Sequence, residues 1–324
     1  MMTHGFDVNR VLEDLHTSKK KNFILDTDTY NEIDDQFAIT YAMNAEDVNL
    51  LALSAAPFYN CRIRTVAEAE EMSYREMKKV RDLVDPENKL GVKCLHGAQK
   101  YMTNMFVPQP SEAAEEIVRL VKEADGIVYI AAIGRFTNLA SAILLDPTIA
   151  EKAVAILVGG QRLSRGDAND GNLGNDRCAA RVVFECGIPV ILLPAGECTE
   201  HLYAYGGEVE YYLRGKAGAI GDYLCDKFIE EEGTALRENN VCSTHYRSLW
   251  DISAIAFLRG QEKMCGVYIE DAHTVTADGH WVNLHDGRKM IYVDWFHRDR
   301  VLSDFYTVVR RRTALKNAAA LKNL

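Results

Sequence analysis

Five short apolar runs, alternating with longer amphipathic stretches, constrain the fold of this chain more than any other feature. The runs Asn22–Asp26, Val48–Ala55, Ile127–Ile133, Ala153–Val158 and Ile188–Leu193 read as strands. Between them lie helix candidates at Asp34–Asn44, Thr65–Leu83, Glu112–Glu123, Asn138–Leu144 and Cys178–Cys186. Strands buried on both faces and separated by helices predict an α/β fold, an open and mostly parallel doubly wound sheet flanked by helices. Ligands of such sheets collect beyond the carboxyl ends of the strands.

The pattern changes after Pro194. Residues Gly207–Glu232 read as one long helix and Ser248–Leu258 as another. Cys265–Thr276 alternates like a strand, and Asp278-Gly279 and Asp286-Gly287 are turn signals, so a small C-terminal helical and hairpin elaboration is expected. The basic tail from Arg310 to Lys322 reads as a solvated terminal helix. No linker, repeat or low-complexity segment appears, and a single domain over residues 1–324, with 1–21 as an N-terminal extension, is the expected organisation.

The chemistry is concentrated at the end of the first strand. Asp26-Thr27-Asp28-Thr29-Tyr30-Asn31-Glu32-Ile33-Asp34-Asp35 follows Phe23-Ile24-Leu25 and places five carboxylates within ten residues. Like charges held that close repel and raise one another's pKa unless a cation or a reactive substrate group sits among them. A capped helix start, with Asn31 or Asp34 as cap, accounts for one or two of these carboxylates but not five. The net charge of −10 argues against a nucleic-acid polymer as partner and leaves small substrates open. Eight cysteines without a CxxC pair, a first segment without an apolar signal core and no apolar run long enough to span a bilayer predict a cytoplasmic protein with reduced thiols.

Two known families open in a comparable way. Phe23-Ile24-Leu25-Asp26-Thr27-Asp28-Thr29 resembles the opening motif of haloacid-dehalogenase-type phosphohydrolases, with Asp26 as nucleophile, Asp28 as acid/base, and magnesium held with help from Gly166-Asp167-Ala168-Asn169-Asp170. That resemblance leaves Asp34-Asp35 without a task. The fuller match is to the nucleoside hydrolase family, whose opening DxDxGxDD corresponds to Asp26-Thr27-Asp28 … Asp34-Asp35. Three further segments follow in order. Ile133-Gly134-Arg135-Phe136-Thr137-Asn138 is similar to a G-x-x-TN segment, and Gly159-Gly160 … Asp170-Gly171-Asn172 … Asp176 to a GG … E-F-N … D block. Trp250-Asp251-Ile252-Ser253-Ala254 is similar to HDP-x-A.

The second resemblance implies hydrolysis of the N-glycosidic bond of ribonucleosides. It further implies a calcium ion held by Asp28, Asp35, Asp251 and the Ile133 carbonyl. Asp28 would deprotonate the attacking water, and Asp34, Asp170 and Asn172 would hold ribose hydroxyls. Asp176 would be a structural helix opener, and Asp26 would orient its neighbours. A homodimer or homotetramer is also implied. Three departures stand out: two extra residues around Tyr30-Asn31-Glu32, the absence of an asparagine at Ala55-Ala56-Pro57-Phe58, and Trp250 where a histidine acid is common. The first offers Glu32 as an added ligand or substrate contact and weakens the choice of Asp28 over Asp26 as base. The third resembles the purine-preferring branch, in which an indole stacks on the leaving base. His245, Tyr246 and Arg247 are further acid candidates. A catalytically inactive, metal-dependent nucleoside- or ribose-binding protein is the non-enzymatic alternative.

Overall fold

A computed structural model describes residues 6–230, 245–260 and 263–321. Helix α1 (Val8–Leu15) leads into β1 (Lys21–Thr27). Strand and helix then alternate through α2 (Asp34–Asn44), β2 (Val48–Ala55), α3 (Val66–Val84) and β3 (Lys93–Leu95). The alternation continues with α4 (Glu112–Glu123), β4 (Val128–Ala132), α5 (Thr137–Leu145) and β5 (Ala153–Val158). Next come α6 (Gly171–Asn175), α7 (Arg177–Glu185) and β6 (Val190–Leu193). The last third adds β7 (Tyr203–Tyr205), α8 (Gly206–Leu213), α9 (Gly218–Glu230), β8 (Tyr246–Ser248) and α10 (Ile252–Gly260). It ends with β9 (Cys265–Asp271), β10 (His273–Val275), β11 (Trp281–Asn283), β12 (Lys289–Phe296) and α11 (Arg298–Leu321).

The main sheet has eight strands in the order β3-β2-β1-β4-β5-β6-β12-β9. Every pairing from β3 to β12 is parallel, and only β9 runs antiparallel, against β12. The chain winds outward from β1 through β3, then crosses back to lay β4 on the other side of β1. That reversal opens a crevice beyond the carboxyl ends of β1 and β4, where an open α/β sheet binds its ligands. Successive residues of β1 feed different cores: Phe23 and Leu25 pack on one face of the sheet and Ile24 on the other. The predicted doubly wound α/β sheet is therefore the observed one.

Several boundaries differ for identifiable reasons. The expected N-terminal extension carries α1, whose Val8, Val11 and Leu15 are buried in the core. The three-residue edge strand β3 is too short to show a period. The expected helix Gly207–Glu232 is two helices, interrupted where Gly215 and Gly218 take positive φ of 66° and 68°; its last two residues lie outside the described residues. Residues 246–248 pair as β8 with β7 rather than opening a helix at Ser248. The C-terminal part is more than an appendage: β9 and β12 extend the main sheet, and only β10 and β11 form a separate hairpin. The terminal helix begins at Arg298, well before the basic tail.

Candidate active site

Strand β1 ends with Asp26 and Thr27, so the acidic string falls into the crevice at the switch point. All eleven residues of α2 are buried. Its N-terminus carries Asp34 and Asp35 in the first turn, with Ile33 in the capping position and no side chain capping the free amides. Neither Asn31 nor Asp34 caps this helix, so capping does not account for the carboxylates. The positive end of the helix points toward them.

Asp251, just ahead of α10, comes from far along the chain to join this pair. One carboxylate oxygen from each of Asp34, Asp35 and Asp251 lies within 4.8 Å of the others, and all three residues are buried. The Asp251 amide donates to Asp34 Oδ2 at 3.4 Å, and the Thr27 hydroxyl donates to Asp35 Oδ1. Burial pushes the Asp34 carboxyl up to about 8, with Glu32 adding to the effect. Burial and then neighbouring aspartates drive Asp35 and Asp251 well above the ordinary carboxylate range. Three oxygen-only donors that cannot all ionise by themselves fit a hard divalent cation, which would supply the missing charge.

Asp28 sits beside this cluster but bonds elsewhere: Arg135 Nη1 donates to its Oδ2, and both side chains are only 3% exposed. Burial raises the Asp28 carboxyl to about 6 despite the opposing guanidinium. Gly134 permits this approach, since a Cβ there would lie 3.0 Å from Asp28 Cβ and 2.9 Å from Ala56 Cβ. Asp26 points away from the crevice. Its Oδ1 accepts from Ser54 Oγ at 2.6 Å and Asn138 Nδ2 at 2.8 Å, and burial lifts the carboxyl to about 7. The nucleophile that the phosphohydrolase resemblance requires is therefore sealed in the core, and Asp167 of its distal motif does not line the cavity over the acidic cluster. That alternative lacks its chemistry.

A cavity of about 270 Å³ opens over the cluster, lined by Asp28, Asp34, Asp35, Ile133 and Asp251 on one side and by Glu32, Asp170, Asn172 and Trp250 around them. A larger hollow of about 460 Å³ lies near Val48, Asn49 and Leu50, at the opposite strand ends, and holds no such set of buried carboxylates. Asn172 Nδ2 donates to the carbonyls of Ile133 at 2.7 Å and Val158 at 3.0 Å. Asp170 caps α6 through the Leu173 amide at 2.7 Å. Asp176 caps α7 and accepts from Thr137 Oγ1 at 2.6 Å. Trp250 both lines the cavity and packs against the core.

Glu32 stands at the exposed rim, with Arg247 Nη2 3.6 Å away. Its loop is tied to the following strand connection by Asn60, which donates to Asn31 Oδ1 at 3.1 Å, and by Arg62 on the Asn31 carbonyl. His245 and Tyr246 do not line the cavity. Four residues escaped sequence reasoning: Gln161 and Glu200 on the cavity wall, Asn138 beneath Asp26, and Arg135. For Arg135 a signal existed, a lone charge inside an otherwise apolar segment. Glu70, Glu71 and His96 also converge, but Glu70 accepts from the Gly97 amide at 2.9 Å and Glu71 pairs with Arg75, as in an ordinary structural network.

Fold and site together define an α/β protein whose switch-point cleft gathers buried carboxylates that could hold a cation. The family described as inosine-uridine preferring nucleoside hydrolase matches residues 23–301. This chain belongs to that family, enzymes that hydrolyse the N-glycosidic bond of nucleosides and depend on a metal ion. A probable uridine nucleosidase from Oryza sativa subsp. japonica is 29% identical over 233 residues, 66% of this chain and 69% of that protein. Solved structures of a plant nucleoside hydrolase and of a purine-preferring ribonucleoside hydrolase from Gardnerella vaginalis share the fold. The first has a TM-score of 0.67 at 22% identity, covering 90% of this chain and 99% of the other. The second has a TM-score of 0.70 at 19% identity, covering 90% and 98%.

Proposed function

We propose that this chain is a calcium-dependent ribonucleoside hydrolase that releases ribose and free base, with a preference for purine nucleosides. The observation that carries this reading is the convergence of Asp34, Asp35 and Asp251 on a cavity that Asp28 and Ile133 also line. Asp28, Asp35, Asp251 and the Ile133 carbonyl form the oxygen donor set for the ion. Calcium bound there supplies Lewis acidity, which lowers the pKa of water and makes it a better nucleophile at neutral pH. Asp28 accepts the proton of the attacking water as C1′ opens to it. Asp34 accepts from a ribose hydroxyl, and Asp170 and Asn172 hold further hydroxyls. The sugar becomes oxocarbenium-like as the base departs, and the surrounding carboxylates stabilise that positive charge. Asp26 keeps the strand end in register through Ser54 and Asn138, and Glu32 meets the substrate from the rim.

Release of reducing sugar from inosine and uridine, with calcium or with a chelator, tests the reaction. Ribose is expected only in calcium, with chelation lowering the rate by at least ~100-fold, in the range of losing a Lewis-acid contribution. Calcium-dependent nucleoside binding without ribose would instead identify a binding protein.

The partly buried indole of Trp250 on the cavity wall supports the purine preference, because stacking on a base face contributes about 1–3 kcal/mol. Trp250→Ala is then expected to lower kcat/KM for inosine relative to uridine by ~5- to 100-fold. The similarity to a probable uridine nucleosidase favours a second reading, uridine as substrate. An unchanged inosine-to-uridine ratio in the variant, with wild-type uridine turnover the faster, would select it.

A further inference from the structure

The proposed donor set has one member that already holds a cation. Asp28 stands outside the three carboxylates whose oxygens lie within 4.8 Å of one another, and its Oδ2 is bound by Arg135. Arg135 is 3% exposed, so this pair is shielded from water and from salt. A guanidinium in that position offsets one of the charges that would draw a divalent ion, and calcium affinity follows the number of uncompensated ligand charges.

We infer that Arg135 is a built-in competitor for calcium: it holds Asp28 as an internal ion pair, and ion binding must take Asp28 from it. The inference rests on the calcium reading of the site and adds to it the residue that sets the affinity. The exchange does not strand a buried charge. Arg135 also faces Asp170, whose carboxyl feels its positive charge, and a Cβ at Gly171 would lie 3.8 Å from Arg135 Nη2. Arg135 Nε has no hydrogen-bond partner. The guanidinium thus has an unused donor and a second carboxylate that feels its charge, toward which it turns when the ion takes Asp28. Removing the positive charge leaves Asp28 to the ion outright.

Calorimetric titration of the purified, metal-stripped chain with calcium alone, with no nucleoside, tests this. Arg135→Gln is expected to bind calcium about ten-fold more tightly than wild type, and Arg135→Lys, with a single ammonium in place of the fork, two- to three-fold more tightly. In an Asp28→Asn background the Arg135→Gln gain is expected to vanish. Equal or weaker binding by Arg135→Gln, with wild type binding measurably, overturns the inference and leaves the calcium site standing. Absence of calcium binding in both overturns the calcium site and this inference with it. If the glutamine variant does not fold, the lysine variant decides: tighter binding supports competition, and unchanged affinity refutes it.

Discussion

Asp35→Asn is expected to abolish nucleoside hydrolysis while raising the melting temperature of the metal-free protein. Asparagine keeps the shape of the side chain and removes its charge. Asp35 is buried beside Asp28, Asp34 and Asp251, and burial followed by the charges of Asp28 and Asp34 drives its carboxyl far above the usual range. In the metal-free chain this carboxylate works against folding, because an uncompensated buried charge costs several kcal/mol unless it is protonated or paired. Its replacement is expected to add about 1–3 kcal/mol, a rise of several degrees for a chain of this size. With calcium the sign reverses, since one charged donor is missing. Calcium affinity is expected to fall by at least ~100-fold and kcat/KM by at least ~1,000-fold, as losses at metal sites and of metal-assisted catalysis run. Calorimetry and a reducing-sugar assay on one preparation read both halves. A variant that melts lower without metal, or keeps calcium affinity, would remove Asp35 from the ion site.

The second large effect is in pH. The metal-free protein is expected to lose stability steadily between about pH 5 and pH 8, a window in which many proteins are near their most stable. Asp28, Asp26 and Asp34 have folded-state values raised by burial to about 6, 7 and 8, from the ordinary aspartate value of 3.8. Over that interval the folded state binds more protons than the unfolded state, so stability is fully present below the unfolded value and is lost as pH rises through the folded ones. Calcium would supply the compensating charge for the carboxylates that line the cavity, Asp28 and Asp34 among them, but not for Asp26, which turns away from it. The melting temperature gained on adding calcium is therefore expected to grow from pH 5 to pH 8. At calcium one hundred times its dissociation constant the gain corresponds to about 2.7 kcal/mol. Thermal melts in calcium and in chelator across this range check it. A calcium increment that shrinks with rising pH would mean that the carboxylates of the cavity are not where the ion binds.

Which parts of this molecule were legible beforehand follows from how local each determinant is. Helix α2 was readable to the residue as Asp34–Asn44, and β2 as Val48–Ala55, because run length and flanking polarity lie within a few residues. The two-helix break at Gly215 and Gly218 was equally local, but a glycine inside an apolar pattern does not announce which sign its φ will take. Strand β12 joining β6 was not local at all: Ile291 meets Ile191 and Tyr292 meets Leu192 across a hundred residues of chain. The site divides in the same way. Asp34 and Asp35 were adjacent in the string, whereas Asp251 entered through a family resemblance in an ordered motif, with no physical signal of its own. Asn172 came with an expected role on ribose, yet its amide is spent on the Ile133 and Val158 carbonyls, leaving only its carbonyl oxygen for a substrate.

By itself the sequence determined that this is a parallel α/β protein with a dense acidic loop at the end of its first strand, because hydrophobic periodicity and charge density are properties of neighbouring residues. Tertiary structure alone decided how those carboxylates are shared out. Asp26 turns inward to Ser54 and Asn138, Asp34 and Asp35 meet Asp251, and Asp28 faces Arg135. Each of these partnerships depends on where a strand end meets a distant helix start, and a carboxylate's charge state depends on what surrounds it in space. Burial and the opposing charge of Arg135, neither of them written in the acidic string, separate the aspartate held by an arginine from the three that converge in the cleft.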